Sequence, residues 1–189
     1  MKAVLISIRP KWCQKIISGE KTVEVRKTRP RLNPPFKCYI YQTGQGGVIG
    51  EFVCDDIFER IVQVGTSCET PKYCLCDWNM DCTPLDRILS DACLTLDELE
   101  KYLDGGVGYG WHISSLKIYD TPRELSEFTG LRGTRFGAEP VSIKRPPQSW
   151  YYVAERTMYD VSLRSFGKTV FLHEAAEKAL AEMEGKKDG

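Results

Sequence analysis

The chain has 189 residues, of which 42% are hydrophobic and 28% charged, and its formal net charge is zero. This length supports one substantial core and is short for two full domains. No apolar run approaches the roughly 20 residues that cross a bilayer, so no membrane partner is expected. The apolar part of Met1–Ile8 is too short for a signal peptide, and Arg9-Pro10 follows it instead of small residues. The expected compartment is the cytosol. Eight cysteines, some in apolar runs (Cys38, Cys54), then read as reduced thiols and not as a disulfide scaffold.

Lys2–Ile8 is apolar and β-branched, the pattern of a buried strand. Pro10 suits the first turn of a helix. Trp12, Cys13, Ile16 and Ile17 share one helical face, and Gly19 ends the helix. From Thr22 to Arg26 the period becomes two: Val23 and Val25 face one way, Thr22, Glu24 and Arg26 the other. Arg29–Pro35 is a proline-rich loop. Phe36–Thr43 and Val48–Cys54 read as strands joined by the turn Gly44-Gln45-Gly46-Gly47, the second continuing toward Val64. Gly65–Ala92 has little periodicity and reads as an irregular insertion. Thr95-Leu96-Asp97-Glu98 is a capping box opening a helix that reaches Leu103, and Gly105–Gly110 breaks it. Trp111–Tyr119 reads as one strand and Asp120–Arg145 as mostly loop, with a helical turn at Arg123–Phe128. Gln148–Val153 is the last strand expected. Leu172–Met183 has a helical pattern, and the tail from Glu184 is expected to be disordered. Strands outnumber crossover helices, so the fold class expected is α+β: a mostly antiparallel β-barrel with peripheral helices.

The neutral total hides two regions of opposite sign. Arg9–Arg31 holds eight basic and two acidic residues, and Glu69–Asp104 holds nine acidic and three basic ones. The basic region suits a phosphate-bearing partner, and the acidic one suits a protein partner; either can equally be a solvated face.

Within the basic region, Gly19-x-Lys21-x-x-Glu24-x-Arg26 puts an acid between two bases. On a strand, Glu24 and Arg26 project from the same face about 7 Å apart, and Lys21 at the strand entrance reaches over the same opening. A carboxylate accepts from an exocyclic amine, and Arg or Lys donates to carbonyl or phosphate oxygens. The alternative is an exposed edge with mutually paired charges. With Ile6-Ser7-Ile8-Arg9-Pro10-Lys11 before it, this G-x-K-x-x-E-x-R motif resembles the hallmark of ASCH domains, members of the PUA-like β-barrel superfamily. Trp111–Tyr119, Pro122–Phe128 and Arg145–Val153 resemble a phage and bacterial subgroup. The resemblance covers residues 1–155, with a Cys-rich acidic insertion at about 65–92, and leaves 156–189 as a C-terminal extension.

The resemblance implies binding of RNA or of a modified nucleoside or nucleotide, with no cofactor. A subgroup of similar fold hydrolyses the acetyl amide of N4-acetylcytidine, using a lysine at the position of Lys21, a threonine three residues on and a downstream glutamate. Here the threonine position is Glu24, which removes that nucleophile. The binding cleft expected comprises Lys21, Glu24 and Arg26, with Ser7, Arg9 and Lys11 at the rim and Arg145, Gln148 and Ser149 completing it. The rival is an enzyme, either an amidohydrolase using Lys21 with Thr22 and Glu51 or a ribonuclease with Lys21 and Glu24 as acid–base pair. A third reading is a protein-interaction module with the acidic insertion as its contact surface.

Trp111, Trp150, Tyr151 and Tyr152 are either base-stacking residues or core. Cys68, Cys74, Cys76 and Cys82 are spaced C-x5-C-x-C-x5-C, unlike the paired arrangement of ordinary zinc sites, so no metal is expected. His112 and His173 have no neighbours in triad order and read as structural.

Overall fold

The computed structural model describes residues 1–44, 46–63, 73–76, 82–83, 85–135 and 137–155, with the side chains of all but 59–63, 73–76, 82–83 and 85–86. In chain order its elements are β1 (Lys2–Ile8), α1 (Pro10–Ile17), β2 (Val23–Arg26), β3 (Phe36–Gln42), β4 (Val48–Cys54), β5 (Ile57–Gln63), β6 (Tyr73–Cys76), β7 (Cys82–Thr83), α2 (Leu85–Ala92), α3 (Leu96–Leu103), β8 (Gly108–His112), β9 (Ser114–Arg123), a 3₁₀ turn (Leu125–Glu127), β10 (Thr129–Thr134), β11 (Gly137–Ser142) and β12 (Trp150–Ala154). The fold is mostly strand with a few helices, the α+β class expected. The expected helix over Leu172–Met183 and the tail lie outside the described residues.

Six of the seven β1 residues are buried, as its unbroken apolar run requires. β1 is central to a seven-stranded sheet of order β11-β10-β12-β1-β3-β4-β9, parallel to β3 and antiparallel to β12. The parallel pair needs a crossover, which α1 and β2 provide. A second sheet runs β2-β8-β5-β6-β7. Both ladders are open among the described residues, so a closed barrel is not confirmed. The reason lies at two corners. β4 leaves the first sheet at Asp55-Asp56 and continues as β5 in the second, while β8 returns to the first as β9 at Ile113. The corners are tied together: His112 N donates to Asp56 O (3.0 Å), and Ser114 Oγ donates to Val53 O (2.9 Å). Where Trp111–Tyr119 reads as one strand, the chain therefore turns from one sheet into the other. The main core, with Val4, Ile6, Ile8, Phe52 and Ile57 around the fully buried Trp111, fills the space between the sheets.

Two further expectations are corrected. Asp120–Arg145 is not mostly loop: β9 runs to Arg123, and β10 and β11 form a paired hairpin. Its glycines and Pro140 imitate a loop in sequence, but Pro140 stands on the edge strand, where a missing N–H is tolerated, and Gly130 lies with its Cα against Val141 and Ile143. The insertion is not irregular throughout. β6 and β7 extend the second sheet, and α2 packs Ile88 and Ala92 with Val23, Val25, Leu99 and Leu103 into a separate core cluster. The capping box of α3 forms as expected: Thr95 Oγ1 accepts from Glu98 N (3.2 Å), and Thr95 N donates to Glu98 Oε2 (3.1 Å).

Candidate functional site

β2 is buried on both faces for two different reasons. Val23 and Val25 enter the cluster with α2 and α3, while Glu24 and Arg26 point the other way and are still only 7% and 8% exposed. The period of two places them together, and Gly19, with φ of +78°, turns the chain after α1 so that Lys21 meets them. Lys21 is 3% exposed. Glu24 is held between two cations: Lys21 Nζ at 3.2 Å from Oε2 and Arg26 Nη2 at 3.0 Å from Oε1.

Lys21 also donates to two main-chain carbonyls, Val23 O (2.8 Å) and Ala92 O (2.7 Å). An ammonium has three hydrogens; two go to these carbonyls, and the Glu24 carboxylate stands beside it as an ion-pair partner. Arg26 is less completely used. Nη2 donates to Ser7 O (2.6 Å) and Nη1 reaches Ser149 Oγ (3.4 Å), but its buried Nε finds no partner among the described residues. A guanidinium carries five hydrogens, so Arg26 keeps donors in reserve.

Above this triad opens a cavity of about 630 Å³. Its lining includes Lys21, Glu24 and Arg26 together with Ser7, Arg9, Lys11, Gln148 and Ser149, all expected from the sequence. Arg145 is exposed and is not part of the lining. Thr22 and Glu51 are not brought together there. Thr22 contributes its backbone to Asp91 and Ile113, and Glu51 on β4 accepts from Tyr119 Oη (2.6 Å) and pairs with Lys37 (3.4 Å). Trp111, Trp150, Tyr151 and Tyr152 pack in the cores, Trp150 tilted against Trp111 at 5.9 Å.

The aromatic faces of the cavity are others: Trp12 on α1 and Tyr102 on α3. Trp12 shares the helical face of Cys13 and Ile16 in sequence, yet only those two are buried, and Ile17 is 50% exposed. The ammonium groups of Lys11 and Lys21 lie 4.0 and 5.2 Å from the Trp12 ring centre, a cation–π arrangement. Glu98 and Lys101 of α3 complete the rim, and Lys11 pairs with Glu98 at 3.3 Å. The Thr95 N–H, and behind it Lys11, lowers the Glu98 carboxyl from its ordinary value. Five cations (Arg9, Lys11, Lys21, Arg26, Lys101) face two carboxylates, so the cavity attracts anions. The contribution of α3 is not legible locally, because its polar face reads as a solvated one.

A family model described as the ASCH domain matches residues 6–102, just over half of the chain. The chain belongs to the ASCH domain family. The ASCH match takes in the end of β1, α1 and the G-x-K-x-x-E-x-R motif, and ends on Tyr102 at the cavity wall. Among solved structures, the chain is similar to ASCH from Zymomonas mobilis, with TM-score 0.50 and 19% identity, covering 85% of this chain and 91% of that one. Crystal structures of two variants of that ASCH protein, one with tyrosine changed to phenylalanine and one with serine changed to alanine, match with TM-score 0.51 and 19% identity. They cover 86% and 87% of this chain and 95% of theirs. At this identity the likeness is one of fold. No curated protein matches the chain.

No helix among the described residues is long and apolar enough to cross a membrane. Among the same residues no group of three or more His, Cys, Asp or Glu could hold a metal ion. The side chains of Cys68, Cys74, Cys76 and Cys82 lie outside them; the backbone register sets Cys76 opposite Cys82.

Proposed function

We propose that this ASCH protein binds RNA or a nucleotide in the cavity above Lys21, Glu24 and Arg26, without chemical turnover. ASCH domains are of the PUA-like type, often linked to RNA binding. The observation that carries the reading is the state of the triad. A general base must reach the proton it takes, but both Glu24 oxygens are engaged by buried cations and Lys21 is anchored to two main-chain carbonyls, so neither side chain is free to swing toward a substrate. The triad is therefore suited to recognition, with Arg26 as the donor that retains capacity and Trp12 and Tyr102 as faces for a base. A cavity of this size matches an ordinary small-ligand site.

The test is a panel of nucleosides, nucleotides and short RNAs incubated with the pure protein, following binding and product together. Binding without product supports the proposal. Arg26→Ala, checked for folding by its melting curve, should weaken binding by about 2 kcal/mol, a roughly thirtyfold change. Product formation lost in Glu24→Gln would establish the hydrolase reading instead. Folded Arg26→Ala and Glu24→Gln proteins that bind like the unmodified one would remove the cavity from consideration.

A further inference from the structure

A second cavity, of about 520 Å³, is lined by residues 27–33 and Tyr109. Its lining contains Lys27, Arg29 and Arg31 and no carboxylate. Like charges in one concavity repel one another, and an anion offsets that repulsion.

The loop that carries them is built, not loose. Thr28 Oγ1 accepts from Trp150 Nε1 (3.0 Å), and Arg31 N donates to Tyr152 Oη (2.7 Å). Pro30 is buried and Leu32 packs against the main core. The backbone is thus pinned to β12 while Lys27 and Arg31 stay exposed. Neither of these two has a carboxylate partner among the described ion pairs.

The two cavities adjoin. Arg26 lines the first and Lys27, the next residue, lines the second. Lys27 Nζ lies 5.5 Å from the ring centre of Tyr102, which is a wall of the first cavity. Ser149 lines the first cavity, and Trp150 holds the loop of the second. A ligand that fills the first cavity and continues past the Lys27–Tyr102 pair meets Lys27 and then Arg31. A single nucleotide held in the first cavity ends before that point, whereas a polynucleotide continues into its next phosphodiester.

We propose that the ligand is a single-stranded oligonucleotide, held by one nucleotide in the first cavity and by the adjoining phosphodiester in the second. This rests on the reading of the first cavity as a nucleotide site. Lys27 and Arg31 are the phosphate contacts, and the pinned loop spares the cost of ordering their backbone when the strand arrives.

The experiment compares the four ribonucleoside monophosphates with a labelled hexaribonucleotide of mixed sequence, at several salt concentrations, with polyglutamate as acidic competitor. The hexamer should bind at least about tenfold more tightly than the best monophosphate at low salt. The double variant Lys27→Ala/Arg31→Ala should abolish that advantage while the monophosphates still bind. Its slope of log K against log salt should be shallower by about 1.4, since each single-strand phosphate contact contributes about 0.7. Lys27→Gln/Arg31→Gln serves in its place if the alanine form melts early. If monophosphates bind but the hexamer gains nothing, or keeps its gain in the double variant, the oligonucleotide proposal falls and the nucleotide reading stands. If no probe binds, both fall. Displacement of the hexamer by an equal charge concentration of polyglutamate would reduce the second cavity to undirected electrostatics and overturn the proposal.

Discussion

Lys21→Met keeps the aliphatic stem of the side chain and deletes its ammonium. Two carbonyls, Val23 O and Ala92 O, lose donors at 2.8 and 2.7 Å, and Glu24 loses one of its two cations. A buried acceptor left without a donor costs about 1–3 kcal/mol, and breaking a buried ion pair from one side costs about 3–5 kcal/mol when nothing compensates. Here Arg26 still pairs with Glu24, and the adjoining cavity admits water. The lower part of the range applies, a net loss of about 3 kcal/mol. For a domain of this size each kcal/mol moves Tm by about 2–4 °C, so the melt should fall by about 10 °C. Urea unfolding gives the same quantity as a lower midpoint at unchanged slope. A loss under about 1 kcal/mol would refute the reasoning. It would mean that water takes over the two carbonyls and that Lys21 is a ligand contact and not a clamp.

Three further outcomes are expected. Thr95→Ala removes one half of the capping box of α3 and should cost about 1 kcal/mol in urea unfolding, with Thr95→Ser restoring most of it. Gly50→Ala places a Cβ 2.5 Å from Lys117 O, a backbone atom that cannot step aside, so the pairing of β4 with β9 must shift and the protein should melt far lower or fail to fold, as read by circular dichroism. Burial, reinforced by the Glu24 carboxylate, pushes the Cys13 thiol up to about 12, and burial does the same to Cys54. Above the ordinary thiol value of about 8.5 the unfolded chain releases these protons and the folded one retains them, so stability should fall as pH rises from about 9 toward 12 and be unaffected by these groups below that window. Urea midpoints across that range, beside slow iodoacetamide labelling of Cys13 and Cys54 in the native protein, check it.

How much of this could be read from the sequence depended on how local the cause was. β1, α1, β2, β3, β4 and α3 follow from hydrophobic period, Pro10, Gly19 and the Thr95–Glu98 box, all of which act within a few residues. The triad was legible for the same reason, since a period of two alone brings Glu24 and Arg26 to one face. The β10–β11 hairpin was not, because Gly130 is required by a neighbour eleven residues away, Val141, and looks like a turn residue until that neighbour is known. The corner at Ile113 was hidden because nothing in an apolar stretch marks where it changes sheets. Trp12 and Tyr102 were missed as cavity walls, since their partners Lys11, Lys21 and Lys27 become neighbours only in three dimensions. The anchoring of Lys21 was beyond reach for a similar reason, because one of its acceptors is a carbonyl 71 residues away.

That last contact has a practical reading. Lys21 grips Ala92 through the main chain, so it makes no demand on which side chain stands at 92 beyond its being small enough to pack. What Lys21 asks of α2 is therefore a matter of position: a main-chain carbonyl at the helix end. The floor of the cavity depends on where α2 ends, and through that one carbonyl a helix of the other core cluster sets the height of Lys21 beneath the opening.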